Sequence, residues 1–339
     1  MADSPRILII RPSALGDVAR TVPALVTLRR AHPDATIDWL VQDTFTDVVA
    51  PHPALNEVIP FARSRFAKPS AALEFFRWVK TLKARNYDMV FDLQGLFRSG
   101  FITRRTGAPK RIGFANAAEF AHLAYTEKHH VDRTLHTVDR MLGLLDSAGY
   151  ETVRDMNLYI SAADQQWLNE TCGNERYACI APTARWLCKC WPADRFAEIA
   201  RRLLDQLNVS KLVFIASPSE RDQVQPIIDA LGPDAPVLFP KTTVGQMSAV
   251  ISRCEMLVCN DSGPLHIAVG FDRPIVTIYG PTNPGTIGPY QRADTVVQAK
   301  DITLEQMSQY RKVRDDQSLI SKVTVEDVWN KVIEQTSEI

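Results

Sequence analysis

The segment covering residues 12–18 (Pro-Ser-Ala-Leu-Gly-Asp-Val) holds a carboxylate where chemistry often takes place. Asp17 lies between an apolar run and a helical stretch, and a loop in that position commonly contacts ligands in α/β folds. A carboxylate there can take the proton from an attacking hydroxyl group. Alternatively, Asp17 caps the helix by accepting a backbone N–H while Gly16 supplies an unusual turn conformation. The residues alone leave both interpretations open.

A second segment, residues 259–266 (Cys-Asn-Asp-Ser-Gly-Pro-Leu-His), has the layout of an anion-binding helix start. The free N–H groups and the dipole of such a helix hold phosphate oxygens. Ser262 and Gly263 would approach the anion, while Asp261 would accept hydrogen bonds from ligand hydroxyls or fix the loop. His266 lies one turn into the helix and fits a structural role as well as a ligand contact. A plain capped helix is the alternative for the whole segment.

The third segment runs from an apolar strand into an amphipathic helix and contains Lys189. A cation at that place would offset the charge of a departing diphosphate, although a solvated loop lysine is the ordinary interpretation. Cys188 and Cys190 flank it, but one C-x-C pair without further ligands is a weak zinc signal.

The elements that position these segments alternate between strand and helix. Alternation of this kind predicts a mostly parallel sheet covered on both faces. The pattern weakens near residues 150–161 and then starts again, so the sequence predicts an α/β chain of two Rossmann-like doubly wound domains. We expect an N-terminal domain at 1–160, a C-terminal domain at 161–310, and a helical segment at 311–339 that packs back on the N-terminal domain. Predicted strands lie at 6–11, 36–41, 88–93, 177–181, 211–216, 255–259 and 274–279.

The charge and hydropathy of the sequence restrict the kinds of partner that we expect for this protein. The 339 residues include 39 basic and 39 acidic side chains, so no overall field attracts nucleic acid. Between residues 60 and 140, however, basic residues outnumber acidic ones, which favours an anionic partner or an acidic membrane surface for the first domain. No apolar run reaches the length of a membrane span, and the first residues lack the layout of an export signal. We therefore expect a cytoplasmic protein with reduced cysteines.

Several common catalytic motifs are absent from the sequence. It contains no G-x-G-x-x-G, no P-loop, no H-E-x-x-H and no G-x-S-x-G. It also has no Asp-x-Asp pair of the kind that holds a metal in one class of glycosyltransferase. The sequence therefore favours chemistry without a metal or cofactor.

Taken together, six motifs resemble family 9 glycosyltransferases, in order from about residue 6 to residue 290. This resemblance implies a GT-B fold, in which two Rossmann-like domains face a central cleft. The motifs are Ser-Ala-Leu-Gly-Asp (13–17), Asp-Leu-Gln-Gly (92–95), Lys-His-His (128–130), Lys-Cys-Trp-Pro (189–192), Asn-Asp-Ser-Gly (260–263) with His266, and Tyr-Gly-Pro-Thr (279–282).

The resemblance also implies an activity. It is the inverting, metal-independent transfer of heptose from ADP-L-glycero-β-D-manno-heptose to Kdo of the lipopolysaccharide inner core, with Kdo-lipid A as acceptor. An enzyme of this kind would lie in the cytoplasm, in peripheral contact with the inner membrane.

Carried over residue by residue, Asp17 matches the family's general base and Lys189 the lysine near the donor phosphates. Ser262 stands where related enzymes usually have threonine, and a hydroxyl is kept. Glu220 matches an acidic position near the nucleotide ribose, although a carboxylate at a helix start explains it equally well. The expected donor-binding residues are Thr183, Lys189, Glu220, Asp261, Ser262, Gly263 and His266. The expected acceptor-binding residues are Ser13, Gly16, Arg63, Arg65, Lys68 and Gln94.

Three alternatives stay open. The region around Arg63 is shorter and less basic than in related enzymes, which allows Kdo-lipid A, a variant inner core or another anionic glycan as acceptor. A different nucleotide-sugar donor also stays open, because a short motif does not report the stereochemistry of the sugar hydroxyls. A nucleotide-sugar epimerase of the same fold would act on donor without an acceptor. A binding protein without catalysis would bind nucleotide sugar, and replacing Asp17 would change no turnover.

Overall fold

The computed structural model describes residues 4–336. The chain divides into two compact units, Met1–Tyr159 and Ile160–Ile339. This division falls one residue before the predicted boundary. Residues 1–3, which entered the expectation about an export signal, and 337–339, the end of the predicted C-terminal segment, lie outside the described residues.

The first unit is built on a six-stranded, all-parallel sheet with the order β3-β2-β1-β4-β5-β6. Its central strands are apolar because helices cover both faces of a parallel sheet. The strands are β1 (Arg6–Ile10), β2 (Thr36–Gln42), β3 (Glu57–Phe61), β4 (Met89–Asp92), β5 (Lys110–Phe114) and β6 (Glu127–His129).

The helices of the first unit follow the strands. The helical stretch that begins at Asp17 in the sequence is divided into two helices, because Pro23 has no N–H for an intrahelical bond and lies at the start of the second one. The helices are α1 (Leu15–Ala19), α2 (Val22–Ala31), α3 (Arg63–Phe66), α4 (Ala72–Ala84), α5 (Phe97–Thr106) and α6 (Thr137–Ser147).

The second unit repeats the design with the strand order β12-β11-β10-β7-β8-β9, again all parallel. Its strands are β7 (Tyr177–Ala181), β8 (Lys211–Phe214), β9 (Val237–Leu238), β10 (Met256–Asn260), β11 (Ile275–Tyr279) and β12 (Val296–Gln298). Its helices are α7 (Ala162–Cys172), α8 (Ala193–Gln206), α9 (Arg221–Asp229), α10 (Val244–Arg253), α11 (Gly263–Gly270), α12 (Pro284–Ile287), α13 (Leu304–Ser308) and α14 (Val325–Thr336).

The two sheets confirm the predicted α/β class with two Rossmann-like, doubly wound units. In each sheet the strand order reverses beside the first strand of the unit, β1 or β7. Ligands of such sheets bind outside the carboxyl ends of the strands at this reversal. Asp17 follows β1, Lys189 follows β7 and Asp261 follows β10, so all three predicted residues lie beside a reversal point.

The C-terminal helix α14 corrects one prediction. We expected the segment from residue 311 to pack against the first domain, but α14 belongs to the second unit. Val328, Trp329 and Val332 are buried in the hydrophobic core of that unit. Their spacing forms one apolar stripe, which α14 lays against β11, β12 and α8.

Within residues 4–336, no helix combines the length and the apolar character needed to cross a bilayer.

Candidate active site

Asp17 lies in the first turn of α1, held between two arginines. Its Oδ1 is 3.0 Å from Nη2 of Arg11 and 2.8 Å from Nη2 of Arg20. Its Oδ2 accepts the N–H of Ala14 at 3.1 Å. The two arginine side chains are 11% and 8% exposed, whereas Asp17 keeps 26% of its side-chain surface open. The carboxylate therefore closes the start of α1, as the cap interpretation requires, and still presents an open face.

The surroundings of Asp17 fix its charge state. Burial alone would raise its pKa, but the guanidinium groups of Arg11 and Arg20 and the N–H of Ala14 together hold the pKa well below the ordinary value. Asp17 is therefore ionised at every physiological pH. The carboxylate is therefore in the unprotonated form that a general base needs, while the same two arginines lower its basicity.

The other acceptor residues expected from the sequence are only partly brought together. Nη1 of Arg63 lies 3.5 Å from Oγ of Ser13, so this arginine does reach the loop before Asp17. Arg65 instead pairs with Glu74, with Nε 2.8 Å from Oε2. Lys68 is exposed ahead of a short 3-10 turn at 69–71.

Gly16 and Gln94 lie closer to the strand ends. Gly16 is buried in α1, where its carbonyl accepts Nε–H of Arg20 at 3.2 Å. Gln94 follows β4, and its backbone N–H donates to Oδ1 of buried Asp92 at 3.0 Å. Asp92 also accepts the Tyr125 hydroxyl at 2.7 Å, and burial raises its pKa. We assign Asp92 the role of shaping the loop after β4.

In the second unit, Lys189 and Asp261 form a buried ion pair. Nζ of Lys189 donates to Oδ2 of Asp261 at 2.6 Å, and the two side chains are 13% and 5% exposed. The hydroxyl of Thr282 donates to the same oxygen at 2.8 Å. Nζ also lies 5.6 Å from the ring centroid of Trp186 and 5.5 Å from that of Tyr310. The lysine is therefore fixed by one carboxylate and two aromatic rings.

Asn260, the last residue of β10, fixes the loops around this pair. Its Oδ1 accepts the N–H of Trp191 at 3.1 Å, and its Nδ2 donates to the carbonyl of Pro182 at 2.6 Å. These bonds join the segments after β7 and β10. Asn260 is fully buried, so the loops that carry Lys189 and Asp261 keep their spacing.

The helix start at α11 is open in the way that the sequence predicts. Ser262 is in extended conformation before Gly263, and its side chain makes no capping hydrogen bond to the first turn. Its hydroxyl lies 3.3 Å from the carbonyl oxygen of Asn260 instead. Thr183 and His266 are both buried, the first after β7 and the second one turn into α11. The geometry leaves the first turn of α11 available to an anion.

Glu220 has the structural role that the sequence allowed for it. Its Oε2 accepts the backbone N–H and the hydroxyl of Ser217, at 3.0 and 2.5 Å, and so closes the turn before α9. A contact between Glu220 and a ribose stays a prediction.

Cys188 and Cys190 are not arranged as metal ligands. Cys188 is buried, and the thiol of Cys190 donates to the carbonyls of Ala184 and Trp186, both at 3.5 Å. No group of three or more His, Cys, Asp or Glu side chains within the part of the chain that is described could hold a metal ion.

Sequence reasoning missed the side chains that hold the predicted residues. Arg11 was predicted only as the last residue of a strand, Thr282 was named only within the motif at 279–282, and Arg20 was not singled out. Only the position of Arg11 directly after β1, and of Thr282 in the loop after β11, could have indicated their roles. Their pairing with carboxylates depends on contacts between segments distant in sequence.

Comparison with known proteins agrees with this geometry. The profile of glycosyltransferase family 9 (heptosyltransferase) matches residues 75–315. Lipopolysaccharide heptosyltransferase 1 of Escherichia coli O18:K1:H7 is 31% identical over 312 residues, which are 89% of this chain and 94% of the relative.

Two solved structures are similar over nearly the whole chain. A family 9 glycosyltransferase from Veillonella parvula has a TM-score of 0.86 and 26% identity, covering 100% of this chain and 99% of that one. The Escherichia coli heptosyltransferase WaaC with ADP-2-deoxy-2-fluoro heptose has a TM-score of 0.77 and 27% identity, covering 97% and 99%. The resemblance and the GT-B type of fold are confirmed, and the chain belongs to glycosyltransferase family 9 and is a glycosyltransferase.

Proposed function

We propose that this enzyme transfers heptose from ADP-L-glycero-β-D-manno-heptose to Kdo of the lipopolysaccharide inner core, with inversion at the transferred carbon. The observation that carries the proposal is the Lys189–Asp261 ion pair beside the open start of α11. This part of the second unit presents a cation next to free helix N–H groups, and the two together suit the negative charge of a nucleoside diphosphate. A related heptosyltransferase of the same fold has been solved with an ADP-heptose analogue.

The lysine can serve the leaving group without losing its partner. An ammonium group has three N–H donors, and Asp261 takes one of them. The other two remain for the diphosphate as its charge grows. Because these donors are already oriented by Asp261, Trp186 and Tyr310, little reorganisation is needed when the bond to ADP breaks.

The first unit would supply the other half of the reaction. In a single displacement, the acceptor hydroxyl oxygen forms a bond to the anomeric carbon while the bond to the ADP oxygen breaks. The hydroxyl proton goes to a carboxylate oxygen of Asp17. Attack from the face opposite the leaving group accounts for inversion. No step in this scheme requires a metal ion.

The acceptor in this proposal is Kdo-lipid A or a similar anionic glycolipid. Such a substrate is presented by a membrane, so the enzyme would work in peripheral contact with the cytoplasmic face of the inner membrane. The exposed cations Arg63 and Lys68 support the binding of a negatively charged acceptor at an acidic membrane surface.

The test is to incubate the enzyme with ADP-heptose and Kdo₂-lipid A in EDTA, and to follow ADP release and acceptor mass. We expect heptose addition by wild type and a loss of about a hundredfold to ten-thousandfold in kcat for Asp17→Asn, the typical contribution of a general base. The matched control is Asp146→Asn, which changes an exposed carboxylate on α6. Circular dichroism checks that each variant is folded.

Each other outcome identifies what is wrong. ADP-heptose consumed without acceptor would favour hydrolysis or epimerisation over transfer. Donor binding without transfer to Kdo₂-lipid A would point to another acceptor. Full transfer by Asp17→Asn would remove Asp17 from the mechanism and leave the function.

A further inference from the structure

Arg140, at the carboxyl edge of the first unit's sheet, has no carboxylate partner among residues 4–336. It extends from α6 and lies partly buried, its guanidinium carbon 5.3 Å from the ring centroid of Phe114, the last residue of β5. Across residues 4–336, no carboxylate pairs with it within 4.0 Å and no hydrogen-bond acceptor meets it. Its Nε is buried, whereas its two terminal nitrogens are not sealed inside the protein.

Strand register places Arg140 near the arginine that holds Asp17. Ile10 pairs with Asp92, and Asp92 pairs with Gly113, so Arg11, Leu93 and Phe114 follow one another across three adjacent strands. Neighbouring strands lie about 4.8 Å apart. The Arg11 guanidinium crosses part of this distance, donating to the carbonyl of Leu93. One side of Arg11 thus faces Asp17, and the other faces the strands beneath Arg140.

At this edge of the sheet, the positive charges of the arginines are not fully balanced by nearby carboxylates. Burial and the positive charges of Arg11 and Arg133 lower the pKa of Arg140, with only Asp132 acting in the opposite direction. A guanidinium nevertheless stays protonated in a protein. Keeping such a charge partly buried without a counter-ion costs free energy. An arrangement of this cost is typical of a site that binds an anion.

Two amide oxygens at the same edge lack a hydrogen-bond donor within the described residues, whereas Arg140 lacks an acceptor. Oε1 of Gln94, after β4, and Oδ1 of Asn116, after β5, are buried without a donor in the described residues. Both lie beneath the surface, so a ligand hydroxyl reaches them only when the amide side chain turns outward. A ligand complementary to this edge carries an oxyanion for the arginines and hydroxyl groups for the amides.

We propose that Arg140, together with Arg11, binds the carboxylate of a sugar acid and so presents a neighbouring hydroxyl of that sugar to Asp17. The inference rests on the proposed function, and it names the group of the acceptor that is recognised. A planar guanidinium matches a carboxylate with two parallel hydrogen bonds. This site adds to the exposed cations Arg63, Arg65 and Lys68, because it lies at the strand ends beside Asp17.

The first test measures binding without donor or turnover, so that it does not depend on heptose transfer. The full chain is titrated with the methyl glycoside of Kdo and with its carboxyl methyl ester, using ligand-observed NMR. We expect wild type to bind the acid at least tenfold more tightly than the ester. Arg140→Met should weaken binding of the acid by about tenfold to a hundredfold, the range for a lost hydrogen bond to a charged group, and should show a smaller preference for the acid over the ester than wild type does.

Controls separate a binding role from a structural one. Arg104→Met changes an exposed arginine in the last turn of α5, at the opposite edge of the sheet, and should bind the acid as wild type does. Without ligand, Arg140→Met should unfold at the same urea concentration as wild type or at a higher one. A residue that only supports the fold would make the unliganded protein less stable.

Three results would overturn the proposal. They are unchanged affinity of Arg140→Met for the acid, equal binding of acid and ester by wild type, and no binding of the acid by wild type. If binding behaves as expected but ADP-heptose is not used, the carboxylate site stands and the proposed heptose transfer fails.

Discussion

At the scale of single residues, Asp17 shows how neighbours set the pH range of a base. Two guanidinium groups offset the effect of burial and hold its pKa below the ordinary range. If one guanidinium group is removed, less positive charge counteracts the effect of burial, so the pKa of Asp17 should rise. A higher pKa means that more of the base is protonated, and inactive, at mildly acidic pH.

We therefore expect Arg20→Gln to lose activity as the pH is lowered from 7.5 to 5, beyond any loss in wild type. The measurement is kcat/KM for the acceptor across this range, with circular dichroism at each pH. Arg30→Gln, an exposed arginine of α2 paired with Glu151 at 3.2 Å, should follow the wild-type profile. Identical profiles for wild type and Arg20→Gln would mean that this guanidinium does not set the charge of the base.

Single residues were predictable where chemistry follows a strand end. Asp17, Lys189 and Asp261 stand out because each is a charged side chain between the end of an apolar strand and the first turn of the next helix. Arg140 gave no such signal, since it lies within an ordinary amphipathic helix, and that no carboxylate between residues 4 and 336 pairs with it is a property of the fold. Charge pairing across the sheet depends on which strands are neighbours, and sequence spacing does not contain that information.

At the scale of elements, the segment after β12 holds the loop that carries Lys189. The carbonyl of Arg314 accepts the N–H of Cys188 at 3.0 Å, and Nε2 of Gln317 donates to the carbonyl of Cys190 at 2.6 Å. The Tyr310 ring lies 5.4 Å from that of Trp186, measured between centroids. This segment therefore touches the lysine loop through its backbone and through its aromatic face.

Tyr310→Leu should raise KM for the sugar donor about three- to thirtyfold, because a ring over a desolvated ammonium contributes about 0.5–2 kcal/mol. Tyr310→Phe keeps the ring face and should behave as wild type. Initial rates at saturating acceptor separate KM from kcat. If Phe and Leu reduce donor affinity equally, the ring face is not what positions Lys189.

The elements found by sequence reasoning are those buried on both sides. Strands β1, β4, β7, β10 and β11 are nearly continuous apolar runs, as parallel strands under two helix layers must be. Strands β2 and β8 were predicted as well, whereas β3, β5, β6, β9 and β12 were missed because their runs are short or contain polar residues. For example, β3 contains Pro60 and exposed Glu57, and β9 has only two residues.

At the scale of the whole molecule, each unit has its own sheet and its own hydrophobic cluster. One cluster joins β7, β8, β10 and β11 with α8, α9 and α14, and another joins β1, β2, β4 and α5 of the first unit. The net charge of zero does not show that the two units bind different ligands. We propose that the first unit binds the anionic acceptor and that the second unit binds the nucleotide. We therefore expect each half to respond to its own ligand.

ADP at a hundred times its Kd should stabilise only the unit that binds it, by about 2.7 kcal/mol. Amides of the buried strands β7 and β10 should then exchange hydrogen about a hundredfold more slowly, while those of β1 and β4 keep their rates. Lys189→Met should need more ADP for the same protection, whereas Lys322→Met, an exposed lysine of the same unit, should not. Hydrogen exchange read by mass spectrometry resolves these peptides, and equal protection of both sheets would show that the units unfold as one.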